Sequence, residues 1–329
     1  HAGSTGSNGS TTFNHQSGTI DISSVAGTYQ FRVGNNNAAT YNMSGDAIVE
    51  YIEGISIGQA ANGNGNLVMN GSSELIDSQN GGSSGLFLIG NSGSNAKGIL
   101  TMNDNASAFH RANVRVGANN GAVGTINMNN SARLDIRTNL QLGHSGEGHL
   151  VMGDASILRV GVGANSDVRV GQNASGRGTV TMSGNALIAG SGASDDVHIG
   201  YNGDGTLIMS DLSAIAGVRE FSTSHNAAGS DATVTMSGNS KIAARTYVNI
   251  GRNGTSTLTL NDNASIGNSE NSPFNLAAQN TGNATLVMNG SGTSVHANQD
   301  LNVAFANSAT STALFDQNAG QVFVNNVLR

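Results

Sequence analysis

Apolar and polar residues alternate in short bursts along this chain. In TVTM at residues 179–182, Val180 and Met182 share one phase and Thr179 and Thr181 the other. In the VRVG before it, Val168 and Val170 point one way and Arg169 the opposite way. A period of two is that of a strand with one buried face. No long segment repeats at the helical period. Clusters of Gly, Asn, Asp and Ser separate the bursts and supply positive backbone angles cheaply. The pattern predicts two or three short strands per unit, joined by tight turns.

The bursts recur. Thr-apolar-x-Met followed by a small polar turn appears as TYNMSGDA, ILTMNDNAS, TVTMSGNA and TLVMNGSG, among other copies. The anchor positions read Phe13, Met43, Met69, Met102, Met128, Met152, Met182, Met209, Met236, Leu260, Met288 and Phe315, with a mean spacing near 27.5 residues. All nine Met residues fall in this column. A second motif, apolar-x-[Ile/Val/Leu]-Gly, runs in phase with it and ends at Gly34, Gly58, Gly90, Gly117, Gly143, Gly171, Gly200 and Gly251. It drifts to Ala277 and Ala304 near the C-terminus, and its copy at Ser222 to Ser224 (FSTS) is degenerate. A shorter apolar patch follows each Met turn, as in Leu134 to Ile136.

One such unit cannot bury its own apolar face, but stacked units can, with parallel strands about 4.8 Å apart. The expected fold is therefore all-β: a right-handed parallel β-helix (β-solenoid) of about 12 coils of about 27 residues, its hand taken from the crossover preference of parallel strands. Twelve coils predict a rod roughly 58 Å long. Residues 1–9, opening with His1 and rich in Gly, Ser and Thr, read as a flexible segment, and residues 10–329 as a single solenoid domain. The stretch from anchor to next Gly motif varies most in length, which assigns the insertions to the turn after the Met strand. The longest step, Met69 to Met102, contains SQNGGSSG and predicts a protruding loop. The Met column reads as a packing ladder, since the adaptable thioether fills a core whose cross-section changes between coils.

Composition narrows the function. With 14 Lys and Arg against 21 Asp and Glu, and a net charge of −7, the chain lacks the basic density that neutralises a phosphate backbone, so no nucleic-acid partner is expected. No apolar run approaches the roughly 20 residues of a membrane span. There is no Cys, hence neither disulfide nor thiolate chemistry.

Candidate chemistry is sparse. Thr recurs three residues before the anchor at Thr40, Thr125, Thr179, Thr206, Thr233, Thr257, Thr285 and Thr312, in the outward phase. This ladder suits a parallel sheet, and it is the one candidate interaction surface, facing a glycan or ice. The adjacent outward column mixes Thr with Asn, Val and Ile, where a flat ice-binding plane wants Thr in both. The Asn and Asp of the turns read as structural, since the repeat of calcium-binding β-rolls is absent. The local carboxylate candidates for glycoside chemistry are Asp135 with Arg137, and Asp195 with Asp196. Arg115, Arg133, Arg137, Arg159, Arg169 and Arg177 concentrate in the middle coils and read as solvated outward positions. The His residues are dispersed. No residue is assigned to catalysis, to a cofactor or to a metal, and no enzyme activity is expected.

The units GNGNLVMNGSS, GRGTVTMSGNA and GDGTLIMSDLS, each after an [Ile/Val]-Gly strand, resemble the passenger-domain repeats of bacterial autotransporters, IG-x-x-G-x-G-T-L-x-V-x-G. The resemblance runs from about residue 10 to 329, with Met where the family usually has Val. It implies a β-helix exposed on the bacterial surface or secreted, acting in adhesion or display. It also implies an outer-membrane barrel outside these residues, and it agrees with the absence of Cys. The alternative is a filament subunit stacking end to end, suggested by a chain that stops within a coil (VFVNNVLR) without a capping helix. A polysaccharide-active enzyme ranks behind both.

Overall fold

The computed structural model describes residues 10–22, 30–51, 54–78, 85–161, 166–279, 281–304 and 311–329. The segment 1–9 and most of the expected SQNGGSSG loop lie outside the described residues.

The architecture is a β-solenoid of three parallel sheets, with roughly one turn per 27 residues. Each coil contributes a Met strand such as Arg177–Met182, a short strand such as Leu187–Gly190, and a Gly strand such as Asp196–Ile199. The Met sheet and the short-strand sheet have twelve strands each, and the Gly sheet has eleven. Every strand pairs with its equivalents in the neighbouring coils, the end strands on one side only. Inward residues form one continuous core. All nine Met side chains are fully buried in it, as the apolar phase predicts.

The turn after the Met strand explains the small polar motif. Its second residue is left-handed in successive coils: Gly71, Asp104, Asn130, Asp154, Gly184, Asp211, Gly238 and Asp262. Gly takes that conformation without Cβ strain, and Asp and Asn tolerate it best among other residues. The Asp residues do more than tolerate it. Asp211 Oδ2 accepts the Gly184 amide of the preceding coil and Asp262 Oδ2 that of Gly238, both at 2.9 Å. Asn129 donates to Asn103, and Asn103 to Asn70, at 2.8 Å each. The turn residues thus satisfy backbone groups and stack on their own copies, as expected.

Two expectations need correction. Phe13 pairs with Tyr41 and Phe315 with Leu286, two residues out of the Met column, which His15 and Gln317 continue instead. The insertions also lie elsewhere. Four residues separate the Met strand from the short strand in the nine central coils, for example 183–186 between Met182 and Leu187. The variable connection follows the short strand, as between Asp77 and Phe87. The corner after Met is held constant because its last residue points inward and must be small: Ala106, Ala132, Ala186, Ser213 and Ala264 are all fully buried.

Candidate functional site

The Thr ladder is continuous over five coils, where Thr179, Thr206, Thr233, Thr257 and Thr285 lie in register. His149 interrupts it before Thr125. Thr312 falls out of it, because Leu314 sits opposite Thr285 while Thr312 faces Asn283. Thr12 joins at the other end, opposite Thr40.

The carboxylate candidates are dispersed. Asp135 does not pair with Arg137, which is exposed; Arg133 and Arg159 donate to it at 2.9 to 3.0 Å. Asp195 and Asp196 point apart. Asp195 is fully buried and accepts the Ser166 amide at 2.9 Å, the Ser191 amide at 2.8 Å and the Gly192 amide, so it is a loop cap.

Asp196 belongs to a cluster on the outer face of the Gly sheet. The floor of that face is the middle residue of each Gly strand, running in register through Arg115, Gln141, Arg169, His198, Ser222, Asn249, Asn275 and Asn302. Outward polar residues are ordinarily solvated, yet His198, Ser222, Asn249, Asn275 and Asn302 are buried. The residues that follow the Gly, among them Tyr201, His225 and Arg252, cover them. The residues that open the strands, Asp167, Asp196 and Glu220, flank them.

Each carboxylate of this cluster has its own arginine. Arg169 Nη2 donates to Asp167 at 2.6 Å, and its guanidinium lies 4.7 Å over the Tyr201 ring. Arg219 binds Asp196 with two nitrogens, Nε at 2.9 Å and Nη2 closer still. Arg252 Nη1 reaches Glu220 Oε1 at 3.2 Å. Arg169 is therefore not a freely solvated position. Burial raises the Glu220 and Asp167 carboxyls above their ordinary range, opposed by the Asn249 hydrogen bond on Glu220 and by Arg169 on Asp167.

Between these pairs sit two imidazoles and a hydroxyl. Ser222 Oγ lies 2.7 Å from His198 Nδ1 and 2.7 Å from His225 Nδ1. A hydroxyl has one proton, so it donates to one ring and accepts from the other. The two rings are 3.9 Å apart, and Tyr201 stacks on His225 at 5.2 Å. Desolvation pushes His198 well below the usual histidine range and takes His225 down to about 3, with Arg252 adding to the latter. Both rings are uncharged at neutral pH. Ser222 with His198 and Asp196 has the composition of a nucleophilic triad, but Ser222 is 0 % exposed and His198 Nε2 is 3.9 Å from Asp196. A hydroxyl closed to substrate does not attack one. Ligand-type atoms of His198, Glu220 and His225 lie within 4.8 Å of one another, as do those of Asp167, Asp196 and His198.

Toward the C-terminal coils the floor becomes an amide relay. Asn302 donates to Asn275 and Asn275 to Asn249 at 2.8 Å, and Asn249 donates to Glu220 at 3.0 Å. The relay opens on a pocket of about 290 Å³ lined by Glu220, Tyr247, Asn249, Arg252, Pro273 and Gln279. The sequence reading missed this site. Its signal was the polar middle residue of the Gly motif, and the copy set aside as degenerate, FSTS, supplies Ser222 at its centre.

Fold and site together define a three-sheet parallel β-solenoid with a buried polar cluster on one outer face. No family model, curated protein or solved structure matches this chain.

Proposed function

We propose that this chain is the rigid, adhesive part of a surface-exposed or secreted bacterial protein, binding a polyhydroxylated chain such as a glycan without cleaving it. The pocket at the end of the amide relay carries the reading. It combines an exposed aromatic face (Tyr247), a proline edge (Pro273), amide donors and acceptors (Asn249, Gln279) and a carboxylate–guanidinium pair, Glu220 with Arg252. An aromatic body with a few convergent polar groups is the usual make-up of a small-molecule site. The relay fixes the orientation of Asn249, so its remaining polar capacity is presented without an ordering cost. Binding without turnover is supported by the pairing of the three carboxylates of this cluster, Asp167, Asp196 and Glu220, with arginines. The autotransporter-like repeats support display at the cell surface.

A glycan array probed with the labelled full chain, run beside a reducing-sugar assay on each bound polysaccharide, tests this. The expected outcome is binding without product, weakened at least tenfold by Tyr247→Ala. Absence of binding to any glycan overturns adhesion, and product release that disappears in Asp135→Ala overturns the non-enzymatic reading.

A further inference from the structure

We propose that His198, His225 and Glu220 form a site for one transition-metal dication of the zinc type, gated by Arg252, on the outer face of the Gly sheet. The ligand set comes first. Two imidazoles and one carboxylate are a donor set zinc takes, with a further position left open. The ligand atoms lie within 4.8 Å of one another. Tetrahedral bonds of ~2.0–2.1 Å place neighbouring ligands ~3.4 Å apart, so closure moves these side chains by about 1 Å. Both Nδ1 atoms converge on Ser222 Oγ, at 2.7 Å each. One ring donates its Nδ1 proton to that hydroxyl and the other accepts from it, so uptake of the ion moves the donor ring's proton to Nε2 and turns the hydroxyl aside, which frees both Nδ1 lone pairs. Burial keeps both rings uncharged, the form in which imidazole ligates.

The outer support is in position as well. Metal-binding histidines commonly turn their second nitrogen toward a carboxylate. His198 Nε2 faces Asp196 Oδ2 at 3.9 Å, and Asp196 is itself fixed by Arg219. Asn249 Nδ2 donates to Glu220 Oε1 at 3.0 Å and orients that carboxylate.

Charge is the serious objection, since three arginines surround the cluster. They are not equal. Arg169 and Arg219 each bind their carboxylate through two nitrogens, whereas Arg252 makes a single 3.2 Å contact with Glu220. Arg252 Nη1 also lies 3.0 and 3.1 Å from the two ring nitrogens of His225. A cationic group already occupies the place where His225 and Glu220 converge. Arg252 and Glu220 both line the open pocket of about 290 Å³, so the guanidinium has somewhere to swing and an ion has a way in. The dication replaces Arg252 at Glu220, and Arg252 moves into water.

The experiment is a titration of the full chain with zinc chloride by calorimetry, and with cobalt chloride by visible absorption, at neutral pH. The wild-type chain takes up one saturable equivalent, and cobalt shows the visible bands of a four- or five-coordinate nitrogen–oxygen site. Glu220→Gln, which keeps shape and hydrogen bonds, and His225→Ala both lose the bands. Arg252→Gln tightens zinc by roughly tenfold or more, because a competing charge a few Å away is gone. Far-UV circular dichroism follows folding, and Glu220→Gln decides if His225→Ala does not fold. No saturable uptake in either the wild type or Arg252→Gln overturns the proposal, as does unchanged uptake in Glu220→Gln. The outcome is independent of glycan binding, since neither titration contains a sugar.

Discussion

Met182 offers the sharpest test of how this solenoid is held together. It is fully buried, in register between Met152 and Met209. Met182→Ala removes Cγ, Sδ and Cε. At about 0.8 kcal/mol for each buried methylene-sized group, the lost transfer energy is roughly 2 kcal/mol. The cavity left behind raises the total into the ~2–5 kcal/mol range of such truncations. The neighbours above and below are themselves thioethers, which adjust to fill gaps. We therefore expect a cost near the lower part of that range, about 3 kcal/mol. Met182→Leu should cost less than ~1.5 kcal/mol, because Leu260 already occupies this column and is fully buried there. Thr179→Ala, three residues away in the same strand but on the outer face, should cost less than ~1 kcal/mol. Long repeat arrays lose global two-state behaviour, so the assay is local: hydrogen exchange of the amides in the strand Arg177–Met182, with chemical denaturation beside it. An equal loss of protection in Met182→Ala and Thr179→Ala refutes the inward assignment of the methionine column. A cost for Met182→Leu as large as that for Met182→Ala refutes the claim that the column needs volume rather than sulfur.

Other consequences follow from single positions. Ala277 replaces the Gly of its motif and keeps φ +52°, a left-handed conformation that costs an L side chain roughly 1–2 kcal/mol, so Ala277→Gly should raise the denaturation midpoint; a fall would show that the Cβ packs to advantage. Gly117→Ala, at φ +63° with the Glu147 carbonyl of the next coil against the added Cβ, should instead destabilise, read as a lowered thermal midpoint. Asn275→Leu breaks the buried relay and leaves Asn249 Oδ1 and Asn302 Nδ2 without their partner, at about 1–3 kcal/mol each, and hydrogen exchange in Phe274–Leu276 checks it. His110 lies in the core with its Nδ1 2.8 Å from the Tyr51 hydroxyl, and burial takes it down to about 3. The unfolded chain therefore binds a proton below pH ~6.5 that the folded chain refuses, so stability is full above that value and falls progressively toward pH ~3. A pH–stability profile of His110→Gln that keeps the wild-type slope over this window would contradict that account.

Much of the fold was legible in the sequence because it follows from local alternation and its repetition. The phase of Val180 and Met182 against Thr179 and Thr181 fixes which side of the Met strand is core, and the recurrence of that phase fixes stacking as the way to bury it. The small residue four places after the anchor and the Gly, Asp or Asn two places after it were equally readable, since a corner admits only small inward groups and a left-handed residue only a few types. Register at the ends was not readable. Phe13 and Phe315 look like anchors by hydrophobicity, but pairing with Tyr41 and Leu286 is decided by the hydrogen-bond ladder of the neighbouring coil. The site was not readable either. Alternation reports which side of its own sheet a residue faces, and says nothing of what covers that side. His198, Ser222 and Glu220 are buried because Tyr201, His225 and Arg252 fold over them, and Glu220 meets Arg252 from 32 positions away along the chain. By itself the sequence determined the strands, the core face and the stacking, each set by contacts between near neighbours or identical copies. Only the tertiary structure decided which outward polar groups leave water and meet, because that depends on side chains from different coils that no period relates.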